Sequence, residues 1–337
     1  AEEKEAFFKK HPFNYIRIIL GDPSDQYRRV GDTFRAWQNE AILIQDTEPH
    51  FYYWEQVFSI GNKRVRRCGI VAAVSLDDFL VGKIKPHEHT FDAPKKDRLK
   101  LLKACRSNLS PILMMYRDAE RVLDKKSRQV CKVPFLKMTD TEGVASTVWK
   151  ITDKQVEAFI QKKMSQKSLY IIDGHHRFST ALTHSRLFSR ADDARRYVLT
   201  VMTNMDNDSV VIFPTYRALP ASAHRIDPQA YLNSLRGFFQ IKKVKGIPAL
   251  KRHQWGILFS KDTDAYVLSV RADRKRRLGR QMEGHPKVKA LDVSVLQQVI
   301  IPQERVTDLR YIRGVGLRFK EAVALLRKGA YQVLWMA

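Results

Sequence analysis

The sequence predicts an α+β fold in which a mixed sheet is flanked by helices. Strand-like and helix-like apolar patterns interleave along nearly all of the 337 residues. Hairpin patterns recur, around Gly61-Asn62 and between 256–260 and 265–270, which a purely parallel sheet would not contain. No internal repeat or low-complexity tract interrupts this alternation.

The elements follow in order. Residues 1–10 read as a charged helix ending near Pro12, and 14–20 as a strand followed by a Gly-Asp-Pro-Ser turn. Gln26 to Glu40 places Val30, Phe34 and Trp37 at helical spacing. Strands are expected at 42–46, 51–58 and 66–74, the last two joined by the Gly61-Asn62 turn. Ser75 caps a short helix through Asp78, and Pro86 ends regular structure, so His87-Glu88-His89 falls in a loop. A helix over 95–107, a strand over 111–116 and a helix over 120–126 come next. Residues 147–151 read as a strand and 152–164 as a helix with Ile160 and Met164 inward. Leu169 to Ile172 is a short apolar run, as in a buried strand; Gly174 allows a tight turn, and from His175 the chain looks helical, with Phe178, Ala181, Leu182 and Ser185 on one face. Strands follow at 197–205 and 210–216, a helix at 231–239 and a hairpin over 256–270. The basic stretch 271–289 is expected as an exposed loop. A helix over 292–300 with Val295 and Val299 inward, a strand at 311–315, a helix at 320–327 and a strand at 331–335 close the chain. Two regions are expected: a motif-bearing core over 1–205, and an α+β region over 206–337 packed on it.

Composition narrows the function classes. Sixty Lys and Arg against 36 Asp and Glu give a net charge of +24, which favours a polyanionic partner, RNA more than DNA since no helix-turn-helix pattern is present. Arg274, Lys275, Arg276, Arg277 and Arg280 are the densest cationic group and the expected polyanion contacts. The 3 cysteines are widely spaced with no Cys-x-x-Cys pair, which points to a reducing, intracellular setting, the cytoplasm or an organelle matrix such as the mitochondrial one. No apolar run approaches the length of a membrane span, and the first residues are neither a signal nor a transit peptide.

Two polar clusters fall on turns, where function is often placed. At 173–177, Asp173, His175, His176 and Arg177 crowd a strand end and a helix start around Gly174. A helix N-terminus presents unpaired N–H groups and a positive dipole end, and Arg177 adds a planar fork suited to phosphate oxygens. This pattern points to phosphate binding by Gly174, His175, His176 and Arg177, with His89 as a further donor. The second cluster is His87-Glu88-His89. If the fold joins the two, Glu88 can accept a proton from an attacking hydroxyl with His87 beside it, and Asp173 can help hold magnesium. Zinc on His87, His89, His175 and His176 is the competing reading, without the His-Glu-x-x-His spacing. Gly-x4-Gly-Lys, Gly-x-Gly-x-x-Gly and Gly-x-Ser-x-Gly signatures are absent.

With their surroundings, these clusters resemble a bacterial and archaeal family catalogued as domain of unknown function 1015. The matching stretches are Phe51-Tyr-Tyr-Trp-Glu-Gln, Gly69-Ile-Val-Ala-Ala-Val-Ser-Leu-Asp-Asp-Phe, Ile84-Lys-Pro-His-Glu-His-Thr, Lys96-Asp-Arg98, Ile171-Ile-Asp-Gly-His-His-Arg, Pro214-Thr-Tyr-Arg217 and Leu291-Asp-Val-Ser-Val-Leu296. The chain departs from the family pattern at Phe91, where arginine commonly follows His-Glu-His-Thr, and it lacks a Pro-Tyr-Asp segment before His11-Pro-Phe-Asn. Asp-Gly-His-His-Arg also looks like the phosphate-binding motif of the ParB/sulfiredoxin superfamily. That resemblance implies a ParB/sulfiredoxin-like phosphate-binding core, ATP or ADP with magnesium as cofactor, and a phosphotransferase scaffold acting on a small serine-type hydroxyl substrate. The alternative is a non-catalytic, basic RNA-binding subunit or assembly factor of a ribonucleoprotein, such as an organellar ribosome, on the same inherited scaffold.

Overall fold

A computed structural model describes residues 2–20, 27–60, 63–87, 92–141, 143–186, 193–207, 214–301, 308–313 and 317–337. The chain divides into two compact units, residues 1–210 and 211–337, and it is α+β throughout, with one mixed and one antiparallel sheet. No described helix is long and apolar enough to cross a membrane.

The first unit runs α1 (Glu2–Lys10), α2 (Ile16–Ile19), α3 (Arg28–Asn39), β1 (Phe51–Ile60), β2 (Lys63–Ser75), α4 (Asp77–Leu80), β3 (Ile84–Lys85) and α5 (Asp92–Cys105). It continues through β4 (Ile112–Tyr116), α6 (Val122–Gln129), β5 (Leu136–Thr139), β6 (Ala145–Ile151), α7 (Lys154–Met164), β7 (Leu169–Asp173), α8 (His175–Ser185) and β8 (Tyr197–Asn204). Its strands lie in the order β3-β7-β4-β8-β2-β1-β6-β5. The pairs β3/β7 and β4/β8 are parallel, and the rest are antiparallel.

Side-chain alternation explains the core. The registers Tyr53↔Ile70, Ile70↔Met202 and Met114↔Met202 place these residues, with Ala72, Thr200 and Ile112, on one buried face. Leu123 of α6, Val156 and Ile160 of α7, and Phe178 and Ala181 of α8 belong to the same core. Toward one end the face turns polar: Glu55 pairs with Cys68, Tyr116 pairs with Asn204, and Asp124 and Ser127 of α6 are buried there too. A second core joins Ile18, Val30 and Trp37 to Leu101 and Cys105 of α5.

The second unit contains β9 (Thr215–Pro220), α9 (Pro228–Leu235), β10 (Phe239–Val244), β11 (Gln254–Phe259), β12 (Ala265–Val270), α10 (Lys275–Gln281), α11 (Pro286–Lys289), α12 (Asp292–Val295), β13 (Arg310–Arg313), α13 (Leu317–Arg327) and β14 (Tyr331–Met336). A π turn over Leu296–Ile300 extends α12. The strands form an antiparallel sheet in the order β10-β12-β11-β14-β9-β13. Trp255, Ile257, Phe259 and Trp335 meet α9, α10 and α12 on one face, while Leu258, Leu334 and Met336 meet Val323 and Leu326 of α13 on the other. The Trp335 indole donates to the Tyr231 hydroxyl at 2.9 Å, and that hydroxyl donates to the Ile300 carbonyl at 2.5 Å.

Three sequence expectations are corrected. The strand expected at 14–20 is the single helical turn α2, because the Asn14 carboxamide accepts from the Ile16 N–H at 3.1 Å and only Ile18 needs burial. No strand forms at 42–46: Ala41 turns at φ +54, Ile42 and Leu43 both donate to the Trp37 carbonyl, and Ile44 is left 84% exposed. The loop expected over 271–289 is largely helical, since Leu278 and Met282, four residues apart, are buried in the core beneath α10.

Candidate phosphate-binding site

The site begins at the C-terminal ends of two parallel neighbours. β3 pairs with β7 through Ile84↔Leu169 and Lys85↔Tyr170. The chain therefore leaves both strands at the same edge, toward His87 in one case and Asp173 in the other, a position that binds ligands in many α/β sheets. Leu169 and Ile171 are buried and anchor β7, whereas Asp173 at its end is exposed.

Gly174 makes the turn. Its φ of +91 is left-handed, and it serves as the N-cap of α8 with no side-chain cap. A Cβ on this residue would lie 3.0–3.2 Å from the guanidinium of Arg177, so glycine is what lets Arg177 fold back over the turn. Arg177 donates to the Asp173 carboxylate and to the Pro111 carbonyl, each at 2.6 Å. It thereby fastens the first turn of α8 to β7 and to the chain entering β4. These bonds use two of the five donors of a guanidinium, and part of the side chain, 31% exposed, faces a cleft.

The histidines divide by burial. His175 is 5% exposed, its ring meets His87 edge to face with centroids 4.5 Å apart, and its Nε2 accepts from the His87 backbone N–H at 3.5 Å. These contacts make His175 a strut between the two motif loops. His176 is half-buried and His87 is exposed. The fold thus joins the two sequence clusters at His87 and His175. Glu88 and His89, the expected base and further donor, lie outside the described residues.

Arg98 was missed as a site residue. It is half-buried on α5, forms no hydrogen bond or ion pair among the described residues, and lines the same cleft as Arg177. The cleft lies along α5 and α8, whose contact includes a 3.5 Å bond from the Thr180 hydroxyl to the Lys95 carbonyl, and Ser107, Asn108 and Ser110 border it. The neighbouring Asp97 is engaged by the Tyr27 hydroxyl, whose pKa burial, with that carboxylate's help, pushes up to about 12. The sequence signal for Arg98 was the spacing of Arg98, Leu101 and Leu102, which shares one helical face.

Electrostatics around α5 are cationic. A second cleft is lined by Lys103, Arg106, His184 and Arg195, and burial, then Arg195 and Lys103, holds His184 below the usual imidazole range. Among the described residues no three His, Cys, Asp or Glu side chains come together as a metal cage, and His89, one of the four candidate zinc ligands, lies outside them. One carboxylate at Asp173 does suit magnesium carried mainly by phosphate oxygens.

The expected polyanion contacts lie on and beside α10. Lys275, Arg276, Arg277 and Arg280 are exposed, whereas Arg274 is half-buried with its Nε 3.1 Å from Asp273. Arg277 also lies 5.8 Å over the Phe238 ring.

Among curated proteins and solved structures, none matches this chain. A family model described as "Protein of unknown function (DUF1015)" matches residues 1–294, which include both motif clusters and the cleft between α5 and α8. By that match over most of its length, the chain belongs to the DUF1015 family.

Proposed function

We propose that this chain is a nucleotide-phosphate-binding protein on an enzyme scaffold, a phosphotransferase that acts on a small serine-type hydroxyl compound. The observation that carries this reading is the meeting of the two motif loops at the edge shared by β3 and β7, with Arg177 folded over Gly174 at the head of α8. In this reading the core is of the ParB/sulfiredoxin kind. The helix N-terminus and Arg177 hold the phosphate group, each charge-assisted bond contributing about 1.5–3 kcal/mol. Glu88, directly after His87 in sequence, accepts the proton of the attacking hydroxyl, and His89 and His176 donate hydrogen bonds to the phosphate. Asp173 supplies one carboxylate to magnesium, which neutralises phosphate charge when bound. Arginines and lysines beside the cleft support a small anionic ligand drawn in by local potential.

Calorimetry with ADP and ATP in the presence of magnesium, on wild type and Arg177→Ala, tests the pocket. Micromolar binding lost in the variant is expected, and phosphate transfer to serine-like hydroxyl compounds should then vanish in Glu88→Gln. Absence of nucleotide binding by the wild type would remove the enzyme reading.

The exposed cations of α10 favour one second reading, a basic RNA-binding subunit or assembly factor of a ribonucleoprotein, mitochondrial or cytoplasmic. RNA that co-purifies and is released by salt, with no nucleotide binding, is the result that would favour it.

A further inference from the structure

Within the Lys96-Asp-Arg98 stretch, Arg98 lines the cleft that Arg177 also borders. The structure places Arg98 on the face of α5 that borders α8, one helical turn from Leu101 and Leu102. Across the cleft stand Arg177 and Thr180, likewise one turn apart on α8. Ile19 and Leu109 complete an apolar wall.

The two guanidinium groups differ in one respect. Arg177 is neutralised by Asp173, whereas Arg98 has no carboxylate partner among the described residues. The adjacent Asp97 is taken by Tyr27. A half-buried arginine without a counter-ion leaves net positive charge in a partly desolvated cleft, where an anion is held more strongly than at the open surface. The serine hydroxyls and the Asn108 carboxamide supply neutral donors nearby. Two arginines, together with leucine and isoleucine side chains, line this one cleft and match a ligand that is itself two-ended.

We propose that Arg98 is a second anion-binding residue and that the cleft takes a nucleoside diphosphate. The diphosphate lies between Arg98 and Arg177, and the base rests against Ile19, Leu101 and Leu109. This rests on the nucleotide-phosphate reading of the site and extends it from the turn at Gly174 into the space between two helices.

Titration calorimetry with ADP and with inorganic pyrophosphate tests it, on the full chain and on Arg98→Ala, Arg98→Lys, Arg177→Ala and Lys100→Ala. Lys100 is exposed on the same helix and does not line the cleft, so its variant reports loss of one charge alone. Expected are at least tenfold weaker binding of both ligands in Arg98→Ala and a smaller loss in Arg98→Lys, which keeps the charge but not the fork. Lys100→Ala should change binding less than threefold, and the wild type should bind ADP at least tenfold tighter than pyrophosphate. A thermal midpoint for each variant guards against misfolding, and Arg98→Lys carries the test if Arg98→Ala unfolds. If Arg177→Ala abolishes binding while Arg98→Ala behaves like Lys100→Ala, the Arg98 assignment is overturned and the phosphate site stands. ADP and pyrophosphate binding equally well would overturn the placement of the base. Binding of neither by the wild type would overturn both this proposal and the reading beneath it.

Discussion

Single residues set the geometry of this site and one feature of its stability. Gly174 at φ +91 holds a conformation that costs an L-residue about 1–2 kcal/mol. Gly174→Ala should therefore lower stability by about that amount, and it should also weaken phosphate binding, because the new methyl meets the Arg177 guanidinium. Denaturant midpoints read the first effect and calorimetry the second; an unchanged affinity would separate Arg177's pose from ligand binding. Asp124 offers a test of a different kind. Burial, then the charge of Asp118, raises its carboxyl from 3.8 to about 6, with the Cys68 thiol and then Arg121 opposing. The Cys68 thiol lies against this carboxylate, with Tyr53 and Tyr116 nearby, and neither oxygen has a well-aligned hydrogen bond. A folded-state pKa above the unfolded one means the protonated group favours the fold. That contribution is full below pH 3.8 and is lost as pH rises through about 6. Asp124→Asn should thus be more stable than wild type at pH 7.5, by roughly 2–3 kcal/mol, with the difference shrinking toward pH 4. Urea midpoints of the two proteins at both pH values check the sign.

At the scale of elements, legibility in the sequence followed length and burial. The β7–α8 junction was legible because an apolar run, a glycine and a helical face follow one another without a break. β3 and β5 were not: the first has only two residues, and all four of the second are exposed, so neither leaves a burial pattern. α2 was misread because alternation over so few residues fits a turn of helix as well as a strand. α10 was misread because its charge hid the burial of Leu278. That burial makes a direct prediction: Leu278→Ala should cost about 2–5 kcal/mol, whereas Arg276→Ser on the exposed side should stay within about 0.5 kcal/mol. Chemical unfolding of the two variants compares them. The site itself was legible as two clusters, and His87 against His175 is where they meet. Arg98 escaped because its meaning depends on α5 and α8 lying side by side, a contact between segments distant in sequence that no local pattern encodes.

For the whole molecule, the net charge of +24 governs encounter more than fold. An anionic nucleotide should associate faster at low salt, and raising ionic strength from about 0.05 to 0.5 M should slow association by about tenfold while changing dissociation little. Stopped-flow binding separates the two rates, and a salt-insensitive association rate would show that the surface field plays no part. Replacing Lys275, Arg276, Arg277 and Arg280 together by serine should leave nucleotide affinity at Arg177 unchanged. If single-stranded RNA binds there, the same change should reduce the salt slope of that binding by about 3. Composition announced the charge, but which cations face a cleft and which face open water depends on the path of the chain.

The parallel pairing of β3 with β7 carries one more consequence. Among the described residues, β3 is an outermost strand of two residues, paired with the sheet opposite Leu169 and Tyr170. Such a tie is the first part of a sheet to let go, far below the free energy that unfolds the central strands. Amide exchange at Ile84 and Lys85 should accordingly run at least about tenfold faster than at Met114, and a ligand spanning both loops should slow it. On the phosphate-binding reading, an edge pairing that opens by itself would let a ligand enter and leave without motion of the core.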